Sequence, residues 1–144
     1  MLKGWLKMKD RRGQALVEFA LILPIFLLLV FGIIEFGRVI SSQMIVSNAS
    51  RSGARYAAVH KITKEGLKAK VVEMYDLDYI TIDLDDVAVS YDPDDEWTSQ
   101  GMVKVSVSHD VDFITPIIPL IQLISPITIE DPITVTAETT MYIE

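Results

Sequence analysis

The feature that most constrains this chain is a long apolar run near its N-terminus. Between Ala15 and Ile34 the only ionisable residue is Glu18. A helix of about 20 residues extends about 30 Å, which matches the hydrocarbon core of a bilayer. Pro24 and Gly32 lie inside the run, where membrane helices tolerate both, and we expect them to give the helix local flexibility. The run therefore predicts a transmembrane helix.

The charges on either side of this run predict its direction. Residues 1–12 carry five bases and one acid, residues 13–62 carry four and two, and residues 63–144 carry four and seventeen, which together give the net charge of −7. Because Lys and Arg beside a membrane span stay in the cytoplasm, we expect the N-terminus inside and the acidic domain outside. An acidic outer domain offers no basic face, so nucleic acid is not an expected partner.

A cleaved secretory signal explains the run less well. Such a signal has an apolar region of about 7–15 residues, which is shorter than the one found here. The nearest small-x-small sequence, at Ser47–Ala49, also lies far beyond Ile34. The chain contains no cysteine, which excludes a disulfide scaffold and thiolate metal sites.

Glu18 is the most informative residue of the run. A carboxylate inside hydrocarbon costs several kcal/mol unless it is paired or protonated, so an intramembrane acid indicates a functional site. Taken alone, Glu18 also fits a second interpretation: it lies near the cytoplasmic end of the helix, and its side chain reaches the membrane–water interface. Its context favours a functional acid, because Gly13 lies five residues before it and Arg11 and Arg12 precede that glycine.

The stretch from Arg11 to Arg38, RRGQALVEFALILPIFLLLVFGIIEFGR, resembles the class III signal of type IV pilin-like proteins. More closely, it resembles the TadE-like family of the tight-adherence (Tad, Flp or type IVb) pilus system. The resemblance implies that a prepilin peptidase cuts after Gly13 and that Gln14 becomes the new N-terminus. It further implies that Glu18 pairs with the free amine of a neighbouring subunit and sets the axial register, since two buried charges cost less together than apart.

The resemblance also implies a function and partners. The protein would be a minor pilin or pseudopilin that acts in assembly of a Tad pilus or a related secretion machine. Its partners would be the peptidase, other pilin subunits, an inner-membrane assembly platform and membrane lipid. It would be a single-pass protein of the cytoplasmic membrane, and would also enter a surface pilus.

The chain divides into four predicted segments. These are a basic leader (1–13), a transmembrane helix (14–35), an extramembrane continuation of that helix (36–60) and a small α+β extracytoplasmic domain (61–144). The continuation is rich in serine, alanine and glycine, which let another element approach closely.

Arg51 and Arg55 lie four residues apart on one face of the continuation. Two interpretations remain open for this pair. The arginines contact acids on the same domain or on the next subunit, or they form a solvated helix face.

The outer domain shows one helical pattern and several strand patterns. Thr63 as an N-cap, with Ile62 and Leu67 as a hydrophobic staple, predicts a short helix that ends near Tyr75. Alternation of apolar and polar residues predicts strands at 80–84, 87–91, 103–113 and 133–143. Such alternation indicates an antiparallel sheet with one buried face. The predicted fold is therefore α+β and pilin-like: a long helix whose outer half packs on a small antiparallel sheet, with one extra short helix.

A very apolar, proline-rich segment from Ile114 to Pro132 separates the last two strands. Pro119 is suited to open a short helix, Leu120 to Ile124. The segment either caps the sheet or forms a surface for a neighbour. We favour the cap, because exposed apolar patches of this size are rare on isolated domains.

Little in the sequence indicates catalysis. The chain has two histidines and lacks a metal-ligand pair, a nucleophile elbow and a phosphate-binding glycine loop, so we expect no enzyme activity. Asp92, Asp94, Asp95 and Glu96 cluster oxygen ligands of the kind that Ca²⁺ prefers, but without EF-hand spacing. A solvated hairpin turn is the favoured interpretation, and no cofactor is expected. The competing function is an uncleaved membrane anchor that displays the acidic domain as a binding module.

Overall fold

The structure is a computed structural model that describes residues 3–75, 80–93 and 96–144, with side chains described from Gly13 onward. Its elements are, in chain order, α1 (Lys3–Val59), α2 (Lys64–Tyr75), a 3-10 turn (Leu84–Asp86), β1 (Val87–Asp92), β2 (Met102–Val111), α3 (Ile117–Ile124) and β3 (Ile133–Tyr142). They form two compact units. The apolar unit comprises the chain up to Phe36 together with Phe113–Glu130, and the sheet unit comprises Gly37–Asp112 together with Asp131–Glu144.

The sheet unit contains three antiparallel strands in the order β1-β2-β3. On the central strand, Val105 lies opposite Val89 of β1 and Thr139 of β3. Val103, Val105 and Val107 are buried, whereas the residues between them are more exposed. The alternation read from the sequence is thus confirmed for these strands, since one face of the sheet forms the core.

The core lies where the outer part of α1 meets α2 and the sheet. Ala49, Ala54 and Ala57 of α1 are fully buried. A Cβ on Gly53 would lie 2.7 Å from Val71 Cγ2 of α2 and 3.3 Å from Val105 Cγ1 of β2. Small side chains on α1 therefore permit the close approach that the composition predicted. The predicted fold class is confirmed: a long N-terminal helix packs on a small antiparallel sheet in an α+β arrangement.

The start of α2 follows local chemistry. The Gly66 N–H donates to Thr63 Oγ1 at 3.2 Å, which satisfies one of the unpaired donors of the first turn. Leu67 and Val71 are buried, whereas Met74 near the end of the helix is exposed. The predicted N-cap and the predicted end of this helix at Tyr75 are confirmed.

Two predictions about strands were wrong. Residues 81–83 have no regular structure and Leu84 begins the 3-10 turn, although Ile80 and Ile82 are buried. Alternation correctly placed Ile80 and Ile82 in the core but not Leu84, which is exposed, and Ile80 makes a single β-bridge in place of a strand. The strand predicted to run to Phe113 ends at Val111.

The proline-rich segment also differs from expectation. α3 begins at Ile117 rather than Leu120, and none of its residues is buried. Phe113–Glu130 belongs to the apolar unit instead of the sheet unit, so the predicted cap was wrong.

Candidate processing and assembly segment

The predicted cleavage site lies inside α1. Gly13 and Gln14 are helical and exposed, and a Cβ on Gly13 would meet no atom within 4 Å. The Gln14 side-chain amide donates from Nε2 to Glu18 Oε1 at 3.1 Å, across one turn of helix. The structure therefore brings together the residue that cleavage would make N-terminal and the single acid of the apolar run.

The surface of α1 around this acid is apolar. The large side chains Leu16, Phe19 and Ile22 are all more than half exposed. Among the described residues, one helix is long and apolar enough to cross a membrane, and its most apolar window is not buried inside the protein. A helix that exposes apolar side chains on every face needs a nonaqueous environment or a partner.

The two helix-interrupting residues have different surroundings. α1 continues through Pro24, whose ring removes one backbone N–H donor from the helix. A Cβ on Gly32 would lie 4.0 Å from Ile117 Cδ1 of α3, an ordinary contact distance. The flexibility predicted for both positions stays a prediction.

Glu35 has a role that the sequence did not reveal. Its carboxylate is almost fully buried, and Oε1 accepts three hydrogen bonds: from the Ile114 N–H at 3.1 Å, and from the Thr115 N–H and hydroxyl at 2.7 Å each. Bonds to a charged acceptor are about twice as strong as neutral ones. Glu35 therefore fixes the start of the proline-rich segment to α1, a contact between residues about 80 positions apart.

Arg51 and Arg55 are exposed on the outer part of α1. Among the residues that the structure describes, neither makes a hydrogen bond or an ion pair. Of the two interpretations, contact with acids of the same domain thus has no support in the described residues. A solvated face and a contact with the next subunit remain.

The acidic loop after β1 is only partly described. Asp92 and Glu96 are exposed, and Asp94 and Asp95 lie outside the described residues. Within the described ranges, no three His, Asp or Glu side chains are close enough together to hold a metal ion. Calcium binding by this loop stays a prediction.

A cleft of about 720 Å³ adjoins the end of α1, and it is lined by Lys61, Ile62, Thr63, Lys64, Glu65, Tyr91, Glu96 and Trp97. The Trp97 indole N–H donates to Ala57 O at 2.8 Å, and the Tyr91 hydroxyl donates to Ile62 O at 3.0 Å. Both aromatic donors thus hold the end of α1 and the turn that follows it.

Together these features define an α+β protein with one apolar helix compatible with a single-pass membrane anchor. Residues 13–55 match the model of the family described as TadE-like protein. The match begins on Gly13 and ends on Arg55, so it contains every predicted processing and assembly residue and stops before the sheet. The N-terminal helix is TadE-like, as its resemblance indicated. Searches of curated proteins and of solved structures found no match to the chain.

Proposed function

We propose that this protein is a minor pilin or pseudopilin that acts in assembly of a Tad (type IVb) pilus or a related secretion machine. The observation that carries the proposal is the family match from Gly13, on a helix whose apolar run, Ala15 to Ile34, has Glu18 as its single acid. TadE-like proteins are structural rather than catalytic, so the expected function is subunit assembly. The partners in this proposal are the prepilin peptidase, other pilin subunits and an inner-membrane assembly platform.

Cleavage would prepare the assembly contact. Hydrolysis after Gly13 releases the basic leader and creates a positive α-amine on Gln14, four residues before Glu18. An ammonium and a carboxylate that are each costly in hydrocarbon cost much less as a pair. The amine of one subunit and Glu18 of its neighbour would thus fix the axial position of one helix against the next.

Gly13 suits the peptidase for a physical reason. α1 passes through the cleavage site, so the peptidase must unwind the helix locally before it can bind an extended backbone. Glycine weakens a helix by about 1 kcal/mol relative to alanine and accepts extended conformations. The exposed position of Gly13 leaves this backbone accessible.

The test is the intact mass of the full chain purified from membranes of cells with an active Tad prepilin peptidase. We expect loss of residues 1–13, and we expect the Gly13→Val variant to keep them. Gly37→Val is a matched control, because a Cβ there also meets no atom within 4 Å. An unprocessed wild-type chain beside another, fully cut substrate would support the uncleaved anchor with an acidic binding module instead.

A further inference from the structure

We propose that residues 113–129 form a re-entrant segment that inserts into the lipid bilayer beside α1, with α3 in the hydrocarbon region. The segment leaves β2 and returns to β3, so both of its ends connect to the sheet unit. This inference rests on the proposed membrane placement of α1. It adds a second lipid contact that lies beyond the residues of the family match.

The charge pattern marks the ends of the segment. Residues 113–129 contain no Asp, Glu, Lys, Arg or His, whereas Asp110 and Asp112 precede them and Glu130 and Asp131 follow. This stretch is at most long enough for a single helical crossing. Because both of its ends connect to the sheet unit, it would need two crossings to span the bilayer, so it can only enter the bilayer and return on the same side. The flanking acids would lie at the water interface.

Glu35 places the segment at the end of the membrane span. Its carboxylate accepts the N–H groups of Ile114 and Thr115, next to Ile34, where the apolar run ends. Two backbone donors near the start of the segment are therefore satisfied at the level where the chain would leave water. Unsatisfied backbone groups are not tolerated in hydrocarbon, so this contact suits a chain that enters it.

Partial burial along α1 shows how far the segment extends. Pro24, Leu28 and Phe31 are partly covered, and with Glu35 they form one stripe at helical spacing. The other part of this unit is Phe113–Glu130, which must supply the cover. The rise along the helix from Pro24 to Glu35 is about 16 Å, or about half of the hydrocarbon thickness.

α3 has two apolar faces. Ile117, Ile118, Leu120 and Ile121 are partly buried, whereas Leu123 on the outer face is 79% exposed. The exposed fraction of Leu123 is larger than that of Ile25 on the surface of α1, which is 66%. Within the apolar unit, the exposed side chains of α3 and of α1 are both largely apolar. The lipid hydrocarbon that would surround α1 would therefore also accommodate the outer face of α3.

Several backbone positions of the segment need no partner from outside it. Pro116, Pro119 and Pro126 have no N–H. The Ser125 N–H donates to Ile121 O at 2.8 Å, and the Ile127 N–H donates to Ser125 O at 2.8 Å. Lipid is therefore the occupant that the segment fits best, and a second copy of the chain is the alternative that the test must separate.

The absence of cysteine from the chain allows single-cysteine labelling without background. Leu123→Cys tests α3, Ile25→Cys reports the α1 span, and Thr140→Cys on an exposed site of β3 is the aqueous control. Each full-length variant carries an environment-sensitive fluorophore in phosphatidylcholine–phosphatidylglycerol vesicles. The quenchers are lipids with acyl-chain nitroxides and, separately, aqueous iodide.

We expect acyl-chain nitroxides to quench the label at position 123 as strongly as the label at position 25, and iodide to quench only the label at position 140. If acyl-chain nitroxides quench the label at position 25 but iodide quenches the label at position 123, the inference is overturned and the proposed function stays intact. Quenching by iodide at 25 would overturn the membrane placement as well. A label at 123 that neither quencher reaches, and that becomes accessible on dilution with lipid, would assign the face to a second copy and overturn the inference.

Discussion

At Gly53, a single missing side chain sets the distance between three elements. A Cβ there would lie 2.7 Å from Val71 Cγ2, and valine is too short to turn away without moving its neighbours. Overpacking typically costs about 1–3 kcal/mol, and the better helix propensity of alanine returns at most about 1 kcal/mol. We therefore expect Gly53→Ala to lower the free energy of unfolding, by about 2 kcal/mol at a mid-range overpacking cost with little propensity gain and by about 1 kcal/mol with the full gain.

The measurement is urea unfolding of the full chain in detergent micelles, followed by Trp97 fluorescence in a Trp5→Phe background. Gly37→Ala is the control on the same helix, because its Cβ would meet no atom within 4 Å. It should be neutral or stabilising by up to about 1 kcal/mol. Equal effects of the two substitutions would contradict the packing explanation.

Tyr91 should make stability depend on pH in the alkaline range. Burial raises the pKa of the Tyr91 hydroxyl above its ordinary value, because the low-polarity surroundings disfavour the phenolate. The folded state thus favours the protonated form. Its contribution is fully present below the unfolded pKa of about 10 and is lost as pH rises through the higher folded pKa.

The corresponding variant is Tyr91→Phe, which also removes the hydrogen bond to Ile62 O. At neutral pH it should be less stable by about 0.5–1.5 kcal/mol, and above pH 10 its stability should decline less steeply than that of the wild type. Urea unfolding at a series of pH values measures both effects. The control is Tyr142→Phe, at an exposed tyrosine, whose unfolding free energy should vary with pH as that of the wild type does. If the unfolding free energies of Tyr91→Phe and the wild type fell in parallel above pH 10, Tyr91 would not be the cause of the alkaline loss of stability.

Residues differ in how well the sequence predicts their contacts. Thr63 was predicted correctly because an N-cap depends only on the next three residues, and its bond to Gly66 is present. Glu35 was visible as an acid at the end of the apolar run, but its partners are 79 and 80 positions away. No local pattern identifies a partner at that separation.

At the scale of elements, the joint between α1 and the proline-rich segment is the contact most open to test. Glu35→Ala removes all three hydrogen bonds to the start of the segment, and Thr115→Val removes only the hydroxyl bond. We expect hydrogen exchange of peptides from residues 113–124 to accelerate in both variants, and more in Glu35→Ala. Each lost bond to a charged acceptor should cost about 1.5–3 kcal/mol of local protection.

Mass spectrometry of the full chain in nanodiscs measures this exchange. Thr128→Val, at an exposed threonine of the same segment, is the control and should leave the exchange unchanged. A Glu35→Ala chain with wild-type exchange over residues 113–124 would show that apolar packing alone holds the segment.

Helices and strands could be predicted from the sequence where the apolar residues recur at one regular spacing. The three strands and α2 follow period-two and helical spacing, because each has one face in a common core. Residues 80–84 show the same alternation in sequence without forming a strand: Ile80 makes an isolated β-bridge, Ile82 is buried, and Leu84 is exposed in the 3-10 turn. The segment around α3 was assigned to the sheet because composition shows that a surface is apolar without showing what covers it.

At the scale of the molecule, the sequence predicted the long apolar helix and its resemblance to the TadE-like family, while the role of the outer domain did not follow. The helix is identified by length, apolarity and the spacing of Gly13 and Glu18, all of which are local. The sheet unit carries most of the acids and has no match among solved structures. Any contact of this unit with other subunits would depend on surface residues such as Arg51 and Arg55, and the sequence of one chain does not show what meets them.

The whole-molecule prediction concerns Glu18 in an assembled filament. After cleavage, Glu18→Ala would leave the α-amine of the neighbouring subunit without a carboxylate in hydrocarbon, and an uncompensated buried charge is strongly destabilising, by about 3–5 kcal/mol. We expect this variant to be cut after Gly13 like the wild type but to be lost from sheared surface fibres. Intact mass measures the first outcome, and quantitative blotting of fibre fractions measures the second.

Glu65→Ala, at an exposed acid of α2, is the matched control and should leave both processing and incorporation unchanged. Glu18→Gln separates charge from size, because it keeps the side-chain length and hydrogen-bonding capacity but cannot neutralise an ammonium. If charge pairing sets the register, the glutamine variant should fail nearly as completely as the alanine variant. Normal incorporation of Glu18→Gln would show that the intramembrane acid acts through hydrogen bonds, such as the one it accepts from Gln14, and not as a counterion.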